Sequence, residues 1–298
     1  MNITPSQIKL MLNAGAYDLT GKGVRIAVLD TGASPNHPML RNKIKEAYSV
    51  INEDVYDKVG HSTAVMSILA GNKTKTPYGV FEGIAPDAEL ISIKVFNRAN
   101  GSGSFGDFIN GAKLAVKKGA DLIVYAGGGA PSNGNAPQDK YVNKLAEQYR
   151  VMTIAAAGNE GAEQGINSPA SAFNSICVGG VNSNGILSGF SNSGPVLNYI
   201  KPDIVGYAGD DYEKILMAVN GWLDIDKNNY EALHGSSFAV PQIAGLMALS
   251  LEHARRKLNR DEWEFIFSDG YQGFPKNNDY GWGLPDFRKW MDAEVKLL

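Results

Sequence analysis

What most constrains the fold of this chain is the alternation of short aliphatic runs with stretches of helical spacing. Val24 to Leu29 is a β-branched and aliphatic run that stops at Asp30-Thr31-Gly32. Leu90 to Phe96, Leu122 to Tyr125 and Val151 to Ala156 read the same way, as strands buried on both faces. Helical spacing of apolar residues covers Thr63 to Ala70, Asp107 to Lys118, Lys140 to Tyr149 and Phe238 to about Lys257. Strands separated by helices form βαβ units, so the prediction is an α/β fold of three layers: a mainly parallel, twisted sheet with helices on both faces. Gly206 to Leu233 breaks the alternation and is predicted to be an insertion turning at Lys227-Asn228-Asn229. Tyr280-Gly281-Trp282-Gly283 predicts a loop ahead of a last helix. No repeat or charge block divides the chain, so residues 1–298 are read as one domain.

Composition excludes several function classes. Lys plus Arg number 28 against 31 Asp plus Glu, a formal charge of -3, which leaves no basic footprint for a nucleic-acid backbone. No apolar run approaches the ~18 residues of a membrane span. Met1 is followed by Asn-Ile-Thr-Pro-Ser, without the basic and apolar segments of a signal peptide. The expectation is a soluble cytoplasmic protein, or a secreted one if the chain is a trimmed mature form. Cys177 is the single cysteine, which excludes an internal disulfide; within Ile176-Cys177-Val178 it reads as an inert buried thiol.

Ligands of open parallel sheets sit outside the carboxyl ends of the strands, so the segments following these strands are where chemistry is expected. Val28 to Ser34, VLDTGAS, resembles the catalytic segment of an aspartic protease, which needs a second such carboxylate; no second Asp-Thr-Gly or Asp-Ser-Gly exists. Gly101 to Gly106, GSGSFG, fits the dinucleotide pattern G-x-G-x-x-G. However, Asn97 to Asn100 separate it from its strand, and Asp121 precedes its strand where the ribose-binding acid should follow.

A third pattern uses these segments together. Asp30 ends the first strand and Gly60-His61 opens a helix. Asn159 lies in Ala155-Ala156-Ala157-Gly158-Asn159-Glu160-Gly161, and Gly235-Ser236-Ser237-Phe238-Ala239-Val240-Pro241 opens another helix. Singly, these residues read as a strand-ending turn, a helix start, a turn and a helix cap. In chain order, Asp, His, Asn and Ser resemble the subtilisin-like serine proteases. The resemblance extends to Ser6-Gln7-Ile8-Lys9, Gly83-Ile84-Ala85-Pro86, Ser102-Gly103-Ser104 and Tyr280-Gly281-Trp282-Gly283, and so spans nearly the whole catalytic domain. It implies a serine endopeptidase acting through an acyl-enzyme. Ser237 would be the nucleophile, His61 the base near neutral pH, and Asp30 the group that fixes the imidazole tautomer. Asn159 and the Ser237 N–H would donate to the oxyanion. His37, His234 and His253 are assigned surface or structural roles.

Departures from the family pattern shape the remaining expectations. Gly-Thr-His-Val is here Ser62-Thr63-Ala64-Val65 after His61, and Gly-Thr-Ser-Met is here Gly235-Ser236-Ser237-Phe238. Ser102-Gly103-Ser104 resembles the substrate-edge segment, and the primary pocket is placed between Ala126-Gly127-Gly128 and Ala156-Ala157-Gly158. A Leu usual in the first wall is missing, which implies a more open site, while Phe96, Phe105 and Phe108 offer apolar surface. The resemblance implies a peptide or protein substrate and no required cofactor. A structural calcium is not expected at the usual family site, because His37-Pro38 is followed by Met39 instead of Asp and Ser6-Gln7 starts close to Met1. Asn72 to Glu82 would leave only carbonyls; Glu53, Asp54 and Asp57 offer a substitute cluster elsewhere, although three acids in a loop are more often simply solvated. The lack of a propeptide in this sequence fits an intracellular processing protease, such as a leader peptidase. The alternative is a peptide-binding pseudoprotease of the same fold, motivated by Ser62, Ser236 and the altered wall.

Overall fold

In the computed structural model, which describes residues 2–97, 99–271 and 273–298, the four predicted runs join three further strands in one seven-stranded sheet. Its order is β2 (Ile44–Ser49), β5 (Glu89–Lys94), β1 (Arg25–Asp30), β6 (Leu122–Tyr125), β7 (Met152–Ala156), β8 (Ile176–Val181) and β9 (Ile204–Tyr207). Every ladder in it is parallel. Alternate side chains of the central strands feed two separate cores. Ile26, Val28, Leu122 and Val124 pack with α1 (Pro5–Met11), α2 (His61–Ala70), α5 (Ser236–Ala254), α6 (Arg260–Asp269) and α7 (Phe287–Leu297). Ala27, Leu29, Ile123 and Tyr125 pack with α3 (Phe105–Lys117) and α4 (Pro137–Tyr149). The result is the three-layer α/β arrangement that unbroken apolar strands require.

Two hairpins lie outside the sheet: β3 (Thr74–Thr76) with β4 (Gly79–Phe81), and β10 (Ile215–Ala218) with β11 (Tyr230–Leu233). The predicted insertion therefore begins later than expected, because Gly206 and Tyr207 still belong to β9. Its turn falls where predicted, with Lys227 and Asn229 left-handed at φ 55 and 68. Three strands were not expected from the sequence: β2, a half-buried edge strand, β8, whose Gly179-Gly180 pair obscures the apolar run, and the four-residue β9. A Cβ on Gly180 would stand 2.6 Å from Ala208 Cβ, so close strand packing excludes a side chain there.

Helix α5 is buried all round, without a break from Phe238 to Leu251, as α2 is from Ser62 to Ala70. Such a helix sits inside the molecule rather than on it. Strand β1 has neighbours on both sides, β5 and β6, and the chain reverses its direction of winding there. Its carboxyl end is thus the switch point at which open α/β sheets place their sites.

Candidate active site

Asp30 is the last residue of β1 and is fully buried. Its Oδ1 accepts the Thr31 N–H at 2.7 Å, and its two oxygens lie 2.9 and 3.0 Å from His61 Nδ1. His61 is the first residue of α2, and its side chain keeps 23% exposure. Burial alone would lower the imidazole pKa, but the charge of Asp30, its hydrogen bond and the more distant charge of Asp57 outweigh burial, and the net direction is upward.

Asp57 holds this corner together. Its Oδ1 accepts from Thr31 Oγ1 (2.9 Å), Val59 N–H (3.0 Å) and Gly60 N–H (2.8 Å). Its Oδ2 accepts from Thr63 N–H (3.0 Å) and Thr63 Oγ1 (2.6 Å). These are the otherwise unpaired donors at the start of α2, so one carboxylate caps the helix that presents His61 and ties it to the residue after Asp30. The solvated-cluster reading fails for Asp57, which is buried. Glu53 pairs with the buried Lys94 at 2.9 Å, and Asp54 caps the Tyr56 N–H. An Asp four residues before a helix-opening His was the available signal.

Ser237 lies in the first turn of α5, where backbone N–H groups have no intrahelical partner. Its hydroxyl donates to Ala126 O at 2.7 Å and, among the described residues, has no hydrogen bond to His61. The Phe238 ring lies beside the imidazole, with centroids 5.6 Å apart. Asn159 is held from the same turn: its Oδ1 accepts both the Ser236 N–H and the Ser236 hydroxyl at 2.8 Å. A backbone donor on Oδ1 fixes the amide orientation and leaves Nδ2 as the outward donor. Ser236 therefore takes on the anchoring that its position demands.

A groove of about 460 Å³ runs past His61 and is lined by Ser102, Gly103 and Ser104 and by Ala126, Gly127 and Gly128. Ala156, Ala157 and Gly158 are buried and do not line it. Gly158, at φ +129, leaves no room for a Cβ beside the Asn192 amide. The expectation of a more open wall is corrected by Phe96. A Cβ on Gly127 would be 2.5 Å from the Phe96 ring, so the phenyl group occupies the space vacated by the missing Leu. Phe105 lines the groove and is exposed, whereas Phe108 is buried against Tyr125 and offers no surface.

The sequence reading also missed the amide network beside Asn159. Glu160 Oε2 accepts from Asn159 N–H (3.0 Å), Asn167 Nδ2 (3.1 Å) and Asn192 Nδ2 (2.8 Å). Asn192 Oδ1 in turn accepts from Glu160 N–H (2.8 Å) and Gly161 N–H (3.0 Å). The loop that carries Asn159 is thus tied to segments far along the chain.

Comparison with known proteins places this geometry. Residues 21–283 match the subtilase family. The chain belongs to that family. It is similar to the major intracellular serine protease of Bacillus subtilis (strain 168), at 32% identity over 88% of this chain and 81% of that one. It is also similar to the intracellular serine protease of Paenibacillus polymyxa, at 30% identity over 88% and 77%. A solved mutant of the protease domain of PatA superposes with a TM-score of 0.78 over 94% of this chain and 98% of that one, at 23% identity, and so shares the fold. The chain is accordingly a subtilisin-like serine endopeptidase that acts on peptide or protein substrates.

As a subtilase it keeps other residues in structural roles. His37 is buried, with Nε2 3.1 Å from Asn229 O and Nδ1 accepting the Met39 N–H at 3.2 Å. His234 contacts Asp210 O, and His253 pairs with the buried Glu294. Burial pushes the Cys177 thiol pKa far above its ordinary value, which keeps it protonated and unreactive. Asp121, the would-be ribose acid, instead accepts the Arg25 N–H at 2.9 Å. Residues at the usual calcium position do not fit the ion. Met39 is buried against Phe81, Ala218 and Tyr230, and the Gln7 carbonyl accepts from Thr4, closing the cap of α1. Glu82 pairs with Lys9 at 2.9 Å. Among the described residues no helix is long and apolar enough to cross a membrane.

Proposed function

We propose that this subtilase hydrolyses peptide bonds through Ser237, His61 and Asp30, with Asn159 and the Ser237 N–H as oxyanion donors. The observation that carries the reading is the two-oxygen contact of Asp30 with His61 Nδ1. It fixes the tautomer with the proton on Nδ1, and the imidazole, still accessible, borders the groove. In the reaction, Ser237 Oγ leaves the Ala126 carbonyl, passes its proton to His61 Nε2 and bonds to the substrate carbonyl carbon. The tetrahedral oxyanion is met by Asn159 Nδ2 and the backbone N–H at the α5 terminus. The C–N bond then breaks as His61 protonates the amine, and water repeats the sequence on the acyl-enzyme to release the acid. No cofactor is needed at any step. The names of the two intracellular relatives support action inside the cell, where cleavage of one defined peptide is safer than general proteolysis.

A fluorophosphonate probe tests the reading: Ser237 should be labelled in the intact chain, and the Ser237→Ala chain should not be. The hydroxyl's bond to the Ala126 carbonyl favours a second reading, a peptide-binding chain with an idle serine. A folded chain that the probe leaves unlabelled would establish that reading instead.

A further inference from the structure

The loop joining β10 to β11 is built into the segment that presents His61. Trp222 N–H donates to Lys58 O at 3.2 Å and Leu223 N–H to Val59 O at 2.9 Å. The two backbones approach so closely that a Cβ on Gly60 would lie 2.2 Å from Asn220 O, and one on Gly221 2.2 Å from Lys58 O. Asn220 adds a side-chain bond, donating to Asp57 O at 3.0 Å, and its Oδ1 lies 3.0 Å from Thr63 Oγ1. The buried Asp224 closes the far side by accepting the Asn228 and Asn229 N–H groups at 3.0 and 3.1 Å. On this anchored frame Trp222 remains 51% exposed, and with Leu223 it lines the groove alongside Thr31, Val59 and His61.

We propose that Trp222 and Leu223 form a specificity wall. It would select an aromatic or large aliphatic side chain on the substrate residue that precedes the one whose carbonyl Ser237 attacks. The inference rests on the proposed reaction and on the pleat of an extended peptide. Successive side chains of such a peptide point to opposite faces. If the attacked residue points its side chain toward Ala126–Gly128, its predecessor faces the other way, toward His61 and this wall. Thr31, Val59, Trp222 and Leu223 offer that side chain no charged partner, so apolar area is what they reward. An indole has only two side-chain torsions to order, and here it stands on an anchored backbone.

The test compares paired peptides that differ only at this position, Phe or Leu against Gly. The intact chain should prefer the large residue in kcat/KM by roughly tenfold or more, within the range that apolar pockets reach. Trp222→Ala should bring the ratio toward one, Trp222→Phe should restore it, and Ile225→Ala, on the exposed tip of the same loop, should leave it in place. Because the readout is a ratio, partial loss of folded enzyme cancels. No preference in the intact chain, or an unchanged ratio in Trp222→Ala, would overturn the proposal. Equilibrium binding of the same peptides to the Ser237→Ala chain tests the wall without catalysis. A failed acyl-enzyme reading, seen with the probe, is thereby separated from a failed wall.

Discussion

The side chain of Asn159 makes its fixed contacts with one oxygen and leaves one nitrogen to work. Since Ser236 pins Oδ1, Asn159→Ala removes the outward donor and leaves the Ser236 N–H without its acceptor at once, while the Ser236 hydroxyl keeps the Gly158 carbonyl at 3.0 Å. The expected loss is about 2.7–4 kcal/mol of transition-state stabilisation, a magnitude known for this kind of donor in subtilisin itself. It should appear in kcat; a rise in KM alone would contradict the assignment. The pH dependence follows from the neighbouring pair. Catalysis needs neutral His61, and its pKa lies above the ordinary ~6.5, so kcat/KM should rise through a midpoint above that value. Stability should run the other way. A raised folded-state pKa contributes stability that is full below the unfolded value and is lost as pH rises through the folded one. Asp30→Asn removes the attraction and should move the activity midpoint down, measured by initial rates between pH 5 and pH 9, an interval of about two units on either side of neutrality.

Helix α2 depends on one carboxylate. Asp57→Ala would leave the N–H groups of Val59, Gly60 and Thr63 without their acceptor in a buried corner. At about 1–3 kcal/mol for each buried unsatisfied group, partly relieved by entering water, a loss of about 3 kcal/mol is expected in denaturant unfolding. Asp57→Asn keeps an acceptor and should lose less. Both should reduce kcat, because His61 begins the helix that Asp57 caps. How much of the site is legible in the sequence follows the same logic. Asp30, His61, Asn159 and Ser237 each sit at the end of a strand or the start of a helix, where short local patterns announce them. Asp57 sits among other acids, and only the folded corner shows that its neighbours face elsewhere. Phe96 and Gly127 exchange volume between segments thirty residues apart, which no local pattern encodes. Strand β8 escaped because its glycines are set by close contact with β9 and the residues beyond it rather than by its own propensity. The fold class was readable because unbroken apolar strands leave few alternatives; the shape of the groove was not, because it is made by pairs.

For the molecule as a whole, metal dependence can be argued from what already occupies the usual subtilase ion position. With Met39 in the core and Gln7 and Glu82 engaged, we expect no tightly bound calcium there, so excess EDTA should leave the melting temperature unchanged within about two degrees. A fall of about ten degrees, the order expected on losing a tightly held ion, would disprove this. The position of α5 has a different kind of consequence. The proposed nucleophile and base ride on helices that are buried all round, so the site is expected to be disarmed only when the structure opens globally. Heated molecules would then be of two kinds, intact enzymes and opened chains, and the second would be substrate for the first. Thermal loss of activity should therefore accelerate with protein concentration, since each molecule's survival depends on how many armed neighbours it meets.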